Sequence, residues 1–339
     1  MARNTERSVN YASFEPDKEL FVVGMNSGLR TYHVDPVVEA FRYSREEVGE
    51  VIMCELLFNT NLIFLVRAQS LNELCVFDQT PRDVPDILYF NAPIRAIRLR
   101  RDRLVVMVQT CVHVLELLTW EPLVKVYIPV GCISMCDIAS APESRALVVT
   151  PAFKMGSVQL TDVSHSVHQS SSSPVLLGKA SGTTQLSCLA LSHDGAKVAL
   201  ATNSGTLISI WDTATRACQQ EVRRGTDSAI IYSMCFNRTS TQLACVSDKG
   251  TLHVWAMGGT ASISGAGASS DGWARVATVH KAAAPHTRAV CAFYATNKVM
   301  ILSVDGKYNN YTLFGKGQHY HSGFDYFLEI GEDDDIWDW

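Results

Sequence analysis

One feature recurs along the 339-residue chain: a short polar turn that contains a glycine and leads into an alternating strand. Five copies place this glycine at positions 28, 156, 205, 250 and 306, so the successive intervals are 128, 49, 45 and 56 residues. The first interval is about three times the others, and two strands without the glycine, at 72–78 and 109–114, fill the missing places. The chain therefore consists of seven units of about 48 residues, which is 339 divided by seven.

Within a unit, short apolar runs alternate with turn residues, and no helical period is convincing. The run 186–191, the turn 192–195 and the run 197–201 are one example. Such runs predict strands, and four strands in 40–50 residues is the size of one β-propeller blade. The sequence therefore predicts an all-β fold, a seven-bladed β-propeller with WD-like repeats, as a single domain over residues 1–339. Whether the ring closes by strand exchange between its ends or by packing alone is left open.

Composition narrows the class of protein. The chain is 47% hydrophobic with a net charge of −5, which argues against a disordered chain and a basic nucleic-acid binder. No apolar run is long enough to span a bilayer, and the N-terminus lacks the apolar region of a secretory signal. We therefore expect a cytoplasmic monomer without a nucleic-acid partner, whose 10 cysteines stay reduced.

No enzymatic motif is found. The sequence lacks a phosphate-binding glycine loop, a nucleophile elbow and paired carboxylates, and its cysteine and histidine pairs lack a second pair at zinc-site spacing. We expect no catalysis, cofactor or metal. A glycine- and serine-rich stretch at 257–272 predicts a flexible loop in the sixth unit, and residues 332–339 form an acidic tail.

Two adjacent arginines, Arg223 and Arg224, precede Gly225 between the fifth and sixth units. Neighbouring side chains on an extended backbone point to opposite sides, so each arginine can serve a different pocket. The planar guanidinium binds phosphate through two charge-assisted hydrogen bonds. A pair of arginines alone is also compatible with an ordinary solvated loop.

The segment 186–256 resembles the PROPPIN family, phosphoinositide-binding propellers that include the WIPI proteins of autophagy. The resemblance rests on Arg223-Arg224-Gly225, on the run 231–237 and on the segment 246–255. It extends more weakly from the turn at 26–28 to the acidic tail, which is similar to the WIPI branch with short acidic ends.

The resemblance implies two phosphoinositide sites, one on each side of the double arginine. In one site, Arg224 is implied to clamp a phosphate, and Ser247 and Thr251 to donate hydroxyl hydrogen bonds. His253 is implied to add an imidazole that is cationic at acidic pH, and Lys249 to add a nearby ammonium. The same five-residue turn, 247–251, also suits any propeller turn, because serine, aspartate and threonine bond local backbone.

The other implied site departs from the family pattern. Arg223 and Thr206 match, and Thr202 replaces the usual serine. Ser209 stands where the family has an arginine, and the histidine expected just before Leu186 is missing. These departures predict a weaker site.

The resemblance implies an autophagy effector on autophagosome-precursor or endosomal membranes that reads phosphatidylinositol 3-phosphate or 3,5-bisphosphate. It also implies that an autophagy lipid-transfer protein docks on blades one to three, with Asp17 as a candidate contact. The loop at 257–272 offers Ile263 and no aromatic residue for insertion, so we expect membrane association that is weaker, or more dependent on a partner, than is usual in the family. Arg275, Lys281 and Arg288 are expected to add attraction if they face an anionic leaflet. The alternative is a WD-repeat scaffold without a lipid role.

Overall fold

The computed structural model describes residues 8–79, 85–132, 135–164, 175–178, 185–258, 272–315 and 317–330. The described strands form seven antiparallel sheets of four, and in each sheet the strands follow one another in chain order. The predicted seven-bladed β-propeller is therefore confirmed.

The first four blades use strands β1 to β16, numbered along the chain. Blade one has β1–β4 at Val9–Phe14, Leu20–Met25, Gly28–Val34 and Val37–Ser44. Blade two has β5–β8 at Val51–Leu56, Leu62–Arg67, Ser70–Asp78 and Asp86–Tyr89. Blade three has β9–β12 at Ala96–Arg100, Arg103–Met107, Cys111–Glu116 and Pro122–Tyr127. Blade four has β13–β16 at Asp137–Ile138, Leu147–Pro151, Ser157–Asp162 and Val175–Gly178.

The remaining three blades use strands β17 to β28. Blade five has β17–β20 at Leu186–Leu191, Lys197–Thr202, Leu207–Asp212 and Cys218–Arg223. Blade six has β21–β24 at Ile231–Phe236, Gln242–Ser247, Leu252–Met257 and Trp273–Val279. Blade seven has β25–β28 at Ala289–Ala295, Lys298–Ser303, Lys307–Gly315 and Gln318–Tyr326. One short helix, α1 at Arg45–Val48, links blades one and two.

The repeated turn glycine lies between the second and third strand of its blade and has a positive φ at all five positions. Two of these glycines also permit a close approach of the loop to the next blade. A Cβ on Gly205 would lie 1.9 Å from the carbonyl oxygen of Ala229, and one on Gly250 would lie 2.2 Å from that of Ala283. Any other residue would push these loops away from the turns.

The hydrophobic core is divided among the seven blade interfaces. Each interface holds its own cluster of buried side chains, because alternate residues of a strand face opposite neighbours. In β22, Leu243 and Cys245 pack toward blade five, and Ala244 and Val246 pack toward blade seven. This alternation shows which neighbouring blade each polar residue at the end of a strand faces.

In the described part of the chain, the ring closes by packing between blades one and seven without strand exchange. Blade one is built from β1–β4 and blade seven from β25–β28, so within the described residues no strand is exchanged between them. Phe327 packs against the rings of Phe21 and Tyr32, with centroid distances of 5.7 and 5.8 Å. The Arg30 guanidinium donates to the carbonyl oxygen of Leu328 at 2.9 Å. The open question of closure is thereby answered.

The inner strands surround a channel of about 920 Å³. In its wall, Arg98 lies 3.5 Å from a Glu55 oxygen and 3.9 Å from an Asp137 oxygen. Burial raises the pKa of both carboxyl groups despite the arginine between them. Tyr11 and Ser13 donate to Glu55 at 2.8 and 2.6 Å, so this polar group is largely satisfied internally.

All ten cysteines are free thiols. No helix in the described part of the chain is long and apolar enough to cross a bilayer. Most of the loop at 257–272, including Ile263, and the acidic tail at 332–339 lie outside the described residues. The base of that loop is closed by a hydrogen bond of 3.0 Å from Gly258 N to Gly272 O.

Candidate functional site

The double arginine lies at the end of blade five, where the connection to blade six begins. Arg223 is the last residue of β20, and Arg224 begins the connection. Val222 packs in the cluster between blades five and six, so its neighbour Arg223 faces the groove toward blade four. The Arg224 side chain turns back toward blade six, where its charge acts on His253. We name these grooves the four–five cleft and the five–six cleft.

Arg224 is held by backbone oxygens. Its side chain is buried, and Nε donates to the carbonyl oxygen of Gly205 at 2.5 Å while Nη2 donates to that of Asp227. Its own amide donates to Thr206 O at 2.8 Å. A guanidinium has five N–H donors, so three remain for a ligand.

Arg224 differs from the other buried arginines of the described residues. Three of them pair with a carboxylate: Arg30 with Glu39 at 3.5 Å, Arg100 with Asp102 at 2.9 Å and Arg103 with Asp102 at 3.4 Å. Within the described chain, no carboxylate lies within 4 Å of Arg224. A buried cation without an anionic partner is costly, so this position favours binding of an anion.

Two buried hydroxyl residues lie in the five–six cleft. Ser247 ends β22 on the face of Cys245, which points to blade five. It is 1% exposed, and its hydroxyl has no hydrogen-bond partner in the described structure. Thr251, one residue past the turn glycine, is also buried. Asp248 serves the turn by accepting the Ile230 amide at 3.1 Å, but the Ser247 hydroxyl serves no such purpose.

His253 lies in the same cleft, stacked 5.9 Å from the Trp255 ring, with Nδ1 3.4 Å from the Thr278 hydroxyl. Burial, together with the charges of Arg275 and Arg224 and with the nearby His280, lowers the pKa of its imidazole to about 3. The expectation that His253 is cationic at acidic pH is therefore wrong for the ligand-free protein. A neutral imidazole can donate one hydrogen bond and accept another.

Lys249 lies at the rim of the five–six cleft. Its side chain is 46% exposed, and Nζ is 3.9 Å from the Asp248 carboxylate. It contributes positive charge at the surface and does not reach the buried hydroxyls through any hydrogen bond in the described structure.

The four–five cleft satisfies its hydroxyls internally. Thr202 Oγ1 lies 3.0 Å from Ser204 Oγ, which lies 3.3 Å from Thr206 Oγ1. Ser209 accepts a hydrogen bond of 2.9 Å from the indole N–H of Trp211. Arg223 is exposed beside them. The expected histidine position near 181–182 lies outside the described residues.

Arg275 contacts the backbone of the double arginine, which the sequence does not predict. Its Nη2 donates to the carbonyl oxygens of Arg223 and of Arg224, the latter at 2.9 Å, and its guanidinium lies 5.7 Å from the Trp255 ring centroid. The expectation of a side chain directed at a leaflet is corrected, because the guanidinium is committed to the backbone of the double arginine. This contact fastens blade six to the end of blade five.

Asp17 lies in the turn between β1 and β2 at the mouth of the channel. Its carboxylate pairs with Arg238 of blade six at 2.9 Å and with Arg101 of blade three at 3.4 Å. Glu15 is fully buried and accepts the amides of Asp17 and Glu19, each at 2.6 Å. The turn is therefore a well-bonded bridge across the mouth.

Comparison with known proteins identifies the family. The family model described as PROPPIN matches residues 8–283. SVP1-like protein 2 of Pichia angusta is 29% identical over 258 residues, which cover 75% of this chain and 71% of that protein. SVP1-like protein 2 of Neurospora crassa is 30% identical over 267 residues, which cover 75% of this chain but 58% of that protein.

Autophagy-related protein 18 of Caenorhabditis elegans is 26% identical over 257 residues, covering 73% of this chain and 61% of that protein. Among solved structures, Kluyveromyces lactis Hsv2 superposes with a TM-score of 0.80 at 19% identity, covering 95% of this chain and 100% of that one. A complex of KlAtg21 with the coiled coil of AgAtg16 gives 0.78 at 20% identity, covering 94% and 99%. The solved structures share the fold, and the family match covers most of the sequence, so the chain belongs to the PROPPIN family.

Proposed function

We propose that this protein reads the 3-phosphate of phosphatidylinositol 3-phosphate or 3,5-bisphosphate on autophagy membranes, chiefly through the five–six cleft. The observation that carries the proposal is that the five–six cleft holds both Arg224, a buried arginine without a carboxylate within 4 Å in the described structure, and the unpartnered hydroxyl of Ser247. A phosphate bound there accepts hydrogen bonds from both groups and neutralises the cation. Membership of the PROPPIN family supports the same ligand class.

The roles in the cleft follow from burial and charge. Arg224 clamps the phosphate with its free N–H donors, while Gly205 and Asp227 hold the guanidinium in place. Ser247 and Thr251 donate from the cleft wall, and neutral His253 adds a donor or acceptor. Lys249 attracts the anion from the rim. Arg223, Thr202 and Thr206 form a weaker second site in the four–five cleft.

The test is flotation of the protein with vesicles containing phosphatidylinositol, its 3-phosphate or its 3,5-bisphosphate. We expect the wild type to float with the 3-phosphorylated lipids and most of the Arg223→Thr/Arg224→Thr variant to stay in the soluble fraction. Arg145→Thr/Arg216→Thr removes two exposed arginines elsewhere and is the matched control, because it changes net charge equally. If the wild type does not float with any of these vesicles, the alternative of a protein-interaction scaffold without a lipid role is favoured.

We further propose that a partner of the autophagy lipid-transfer class docks on blades one to three and contacts Asp17. Its carboxylate lies between Arg101 of blade three and Arg238 of blade six, and its side chain is 23% exposed. A basic partner group would compete with Arg101 and Arg238 for this carboxylate. In pull-downs with the lipid-transfer protein, Asp17→Asn should reduce capture without changing vesicle flotation.

A further inference from the structure

We infer that a third phosphate pocket lies one blade further on, between blades six and seven, at Ser303 and Lys307. We name this groove the six–seven cleft. It goes beyond the two sites implied by the family resemblance, and it stands on a structural equivalence between blades six and seven.

The two blades place a serine at the same position. Ser247 ends β22 and pairs with Ile231, the first residue of β21, and Ser303 ends β26 and pairs with Ala289, the first residue of β25. The turn glycines, three residues later, donate to these serines' carbonyl oxygens at 2.9 and 3.0 Å. The backbone around the two hydroxyls is therefore alike.

The two serine hydroxyls are also alike in their burial and in their lack of a hydrogen-bond partner in the described structure. Ser303, like Ser247, is 1% exposed and has no hydrogen-bond partner in the described structure. Val299 and Ile301, on the same face of β26, pack against blade six, so Ser303 points into the six–seven cleft. A buried hydroxyl without a partner has a free-energy cost that a bound oxyanion would remove.

The third strand supplies a cation to this cleft. Lys307 follows Gly306 as Thr251 follows Gly250, and it shares its strand face with Tyr311, which packs toward blade six. Its Nζ is 3.6 Å from Asp305 and 5.1 Å from the Tyr326 ring centroid, so the ammonium is near the surface and can turn to a ligand. Asn309 occupies the position of His253 and lies 3.1 Å from His321 Nε2.

The loop between the blades repeats the double arginine as a second basic pair. Val222 pairs with Ile208 and Val279 pairs with Leu252, and each valine packs toward the next blade. His280 and Lys281 therefore follow Val279 as Arg223 and Arg224 follow Val222. Lys281 is exposed where Arg224 is buried, so this pocket should be weaker. The ligand chemistry is a phosphate group with free oxygens, which a phosphomonoester of a lipid headgroup or inorganic phosphate can supply.

The test uses Arg223→Thr/Arg224→Thr, in which the two clefts flanking the double arginine are disabled. Calorimetric titration with inositol 1,3-bisphosphate and with inorganic phosphate, and flotation on phosphatidylinositol 3-phosphate vesicles, distinguish headgroup from free phosphate as the source. We expect residual binding of at least one phosphate probe. Adding Lys307→Met should weaken it about tenfold, the effect of one charged hydrogen bond.

Lys298→Met is the matched control, because Lys298 is also on blade seven, pairs with an aspartate at 3.1 Å and lies 5.6 Å from a tyrosine ring centroid. We expect it to leave the residual binding within twofold. Equal losses in the two lysine variants, or no binding of any probe to the double-arginine variant, would overturn the third pocket. Neither result touches wild-type binding through the five–six cleft, so the two proposals fail separately.

Discussion

The four–five and five–six clefts are built on the same turn but leave their polar groups in opposite states. In the four–five cleft, Thr202, Ser204 and Thr206 are linked to one another, and Ser209 accepts from Trp211. In the five–six cleft, the Ser247 hydroxyl has no hydrogen-bond partner and Arg224 has no carboxylate within 4 Å in the described structure. Residue types alone make the clefts look similar, but only one keeps buried polar groups available for a ligand.

The strongest way to break this comparison is to remove each arginine singly. Arg224→Thr should weaken binding to phosphatidylinositol 3-phosphate vesicles about 100-fold, because two charged hydrogen bonds of about 1.5 kcal/mol each are lost. Arg223→Thr should cost less than about fivefold, because Arg223 is exposed and solvent screens its charge. Vesicle cosedimentation measures both, with Arg145→Thr as the control. Equal losses would mean that the clefts share the ligand evenly.

The protonation of His253 in the five–six cleft gives a second test, because it makes the stability of the folded protein depend on pH. Its pKa in the folded protein is about 3, below the ordinary value of 6.5, so the unfolded chain takes up a proton that the folded protein refuses. Stability is therefore lost as the pH falls from 6.5 toward 3. At pH 5, His253 should cost about 2 kcal/mol relative to pH 7.5.

Urea unfolding of the wild type and of His253→Gln at the two pH values measures this cost. The variant should lose about 2 kcal/mol less than the wild type on acidification. His33→Gln, at an exposed position, is the control and should follow the wild type. Identical pH dependence of wild type and His253→Gln would contradict the buried, neutral state assigned to the His253 imidazole.

A gain of function would test the weaker cleft. Ser209→Arg restores an arginine beside Thr202 and Thr206 and should strengthen vesicle binding about tenfold through one added charged hydrogen bond. The Trp211 indole then loses its acceptor, which should cost about 1 kcal/mol of stability. Ser209→Ala separates the effects, because it loses the acceptor without gaining charge. No gain in Ser209→Arg would place the defect of this cleft elsewhere.

The smallest expected effect concerns Arg275. Arg275→Met removes the hydrogen bonds to the carbonyl oxygens of Arg223 and Arg224 but keeps the aliphatic stem. Binding of inositol 1,3-bisphosphate should weaken about threefold, because the double arginine is held less firmly. The loss should shrink when Arg224 is already threonine, which a double-mutant cycle measures. Additive losses would assign Arg275 a direct contact with the ligand instead.

The sequence predicts the blades well because their signal is local. A turn glycine with a positive φ and an alternating strand recur at each copy, and the structure has both there. The divergence of Arg223 and Arg224 is also predictable, since it follows from strand alternation. Ring closure is not, because it depends on contacts between Phe21, Tyr32 and Phe327, about 300 residues apart in the sequence.

The hydrogen-bond partners and the protonation of the site residues likewise cannot be predicted from the sequence. Arg275 acts through backbone oxygens 51 and 52 residues away, and such contacts leave no pattern of residue types. His253 is neutral because burial and several basic side chains converge on it, which only the packed clefts reveal. The sequence names the residues that form the pocket, and the fold decides which of them remain available.

The closure by packing has a mechanical consequence. Every pair of neighbouring blades is linked by the chain except blades one and seven, which are held by an apolar cluster and by contacts such as that of Arg30 with Leu328. Separation of blades at a linked interface is restrained by that connection, but at this seam only noncovalent contacts hold the two faces together. The seam is thus the natural place for slow opening, and amide hydrogen exchange in β1 and β25 should report it before the rest of the inner ring.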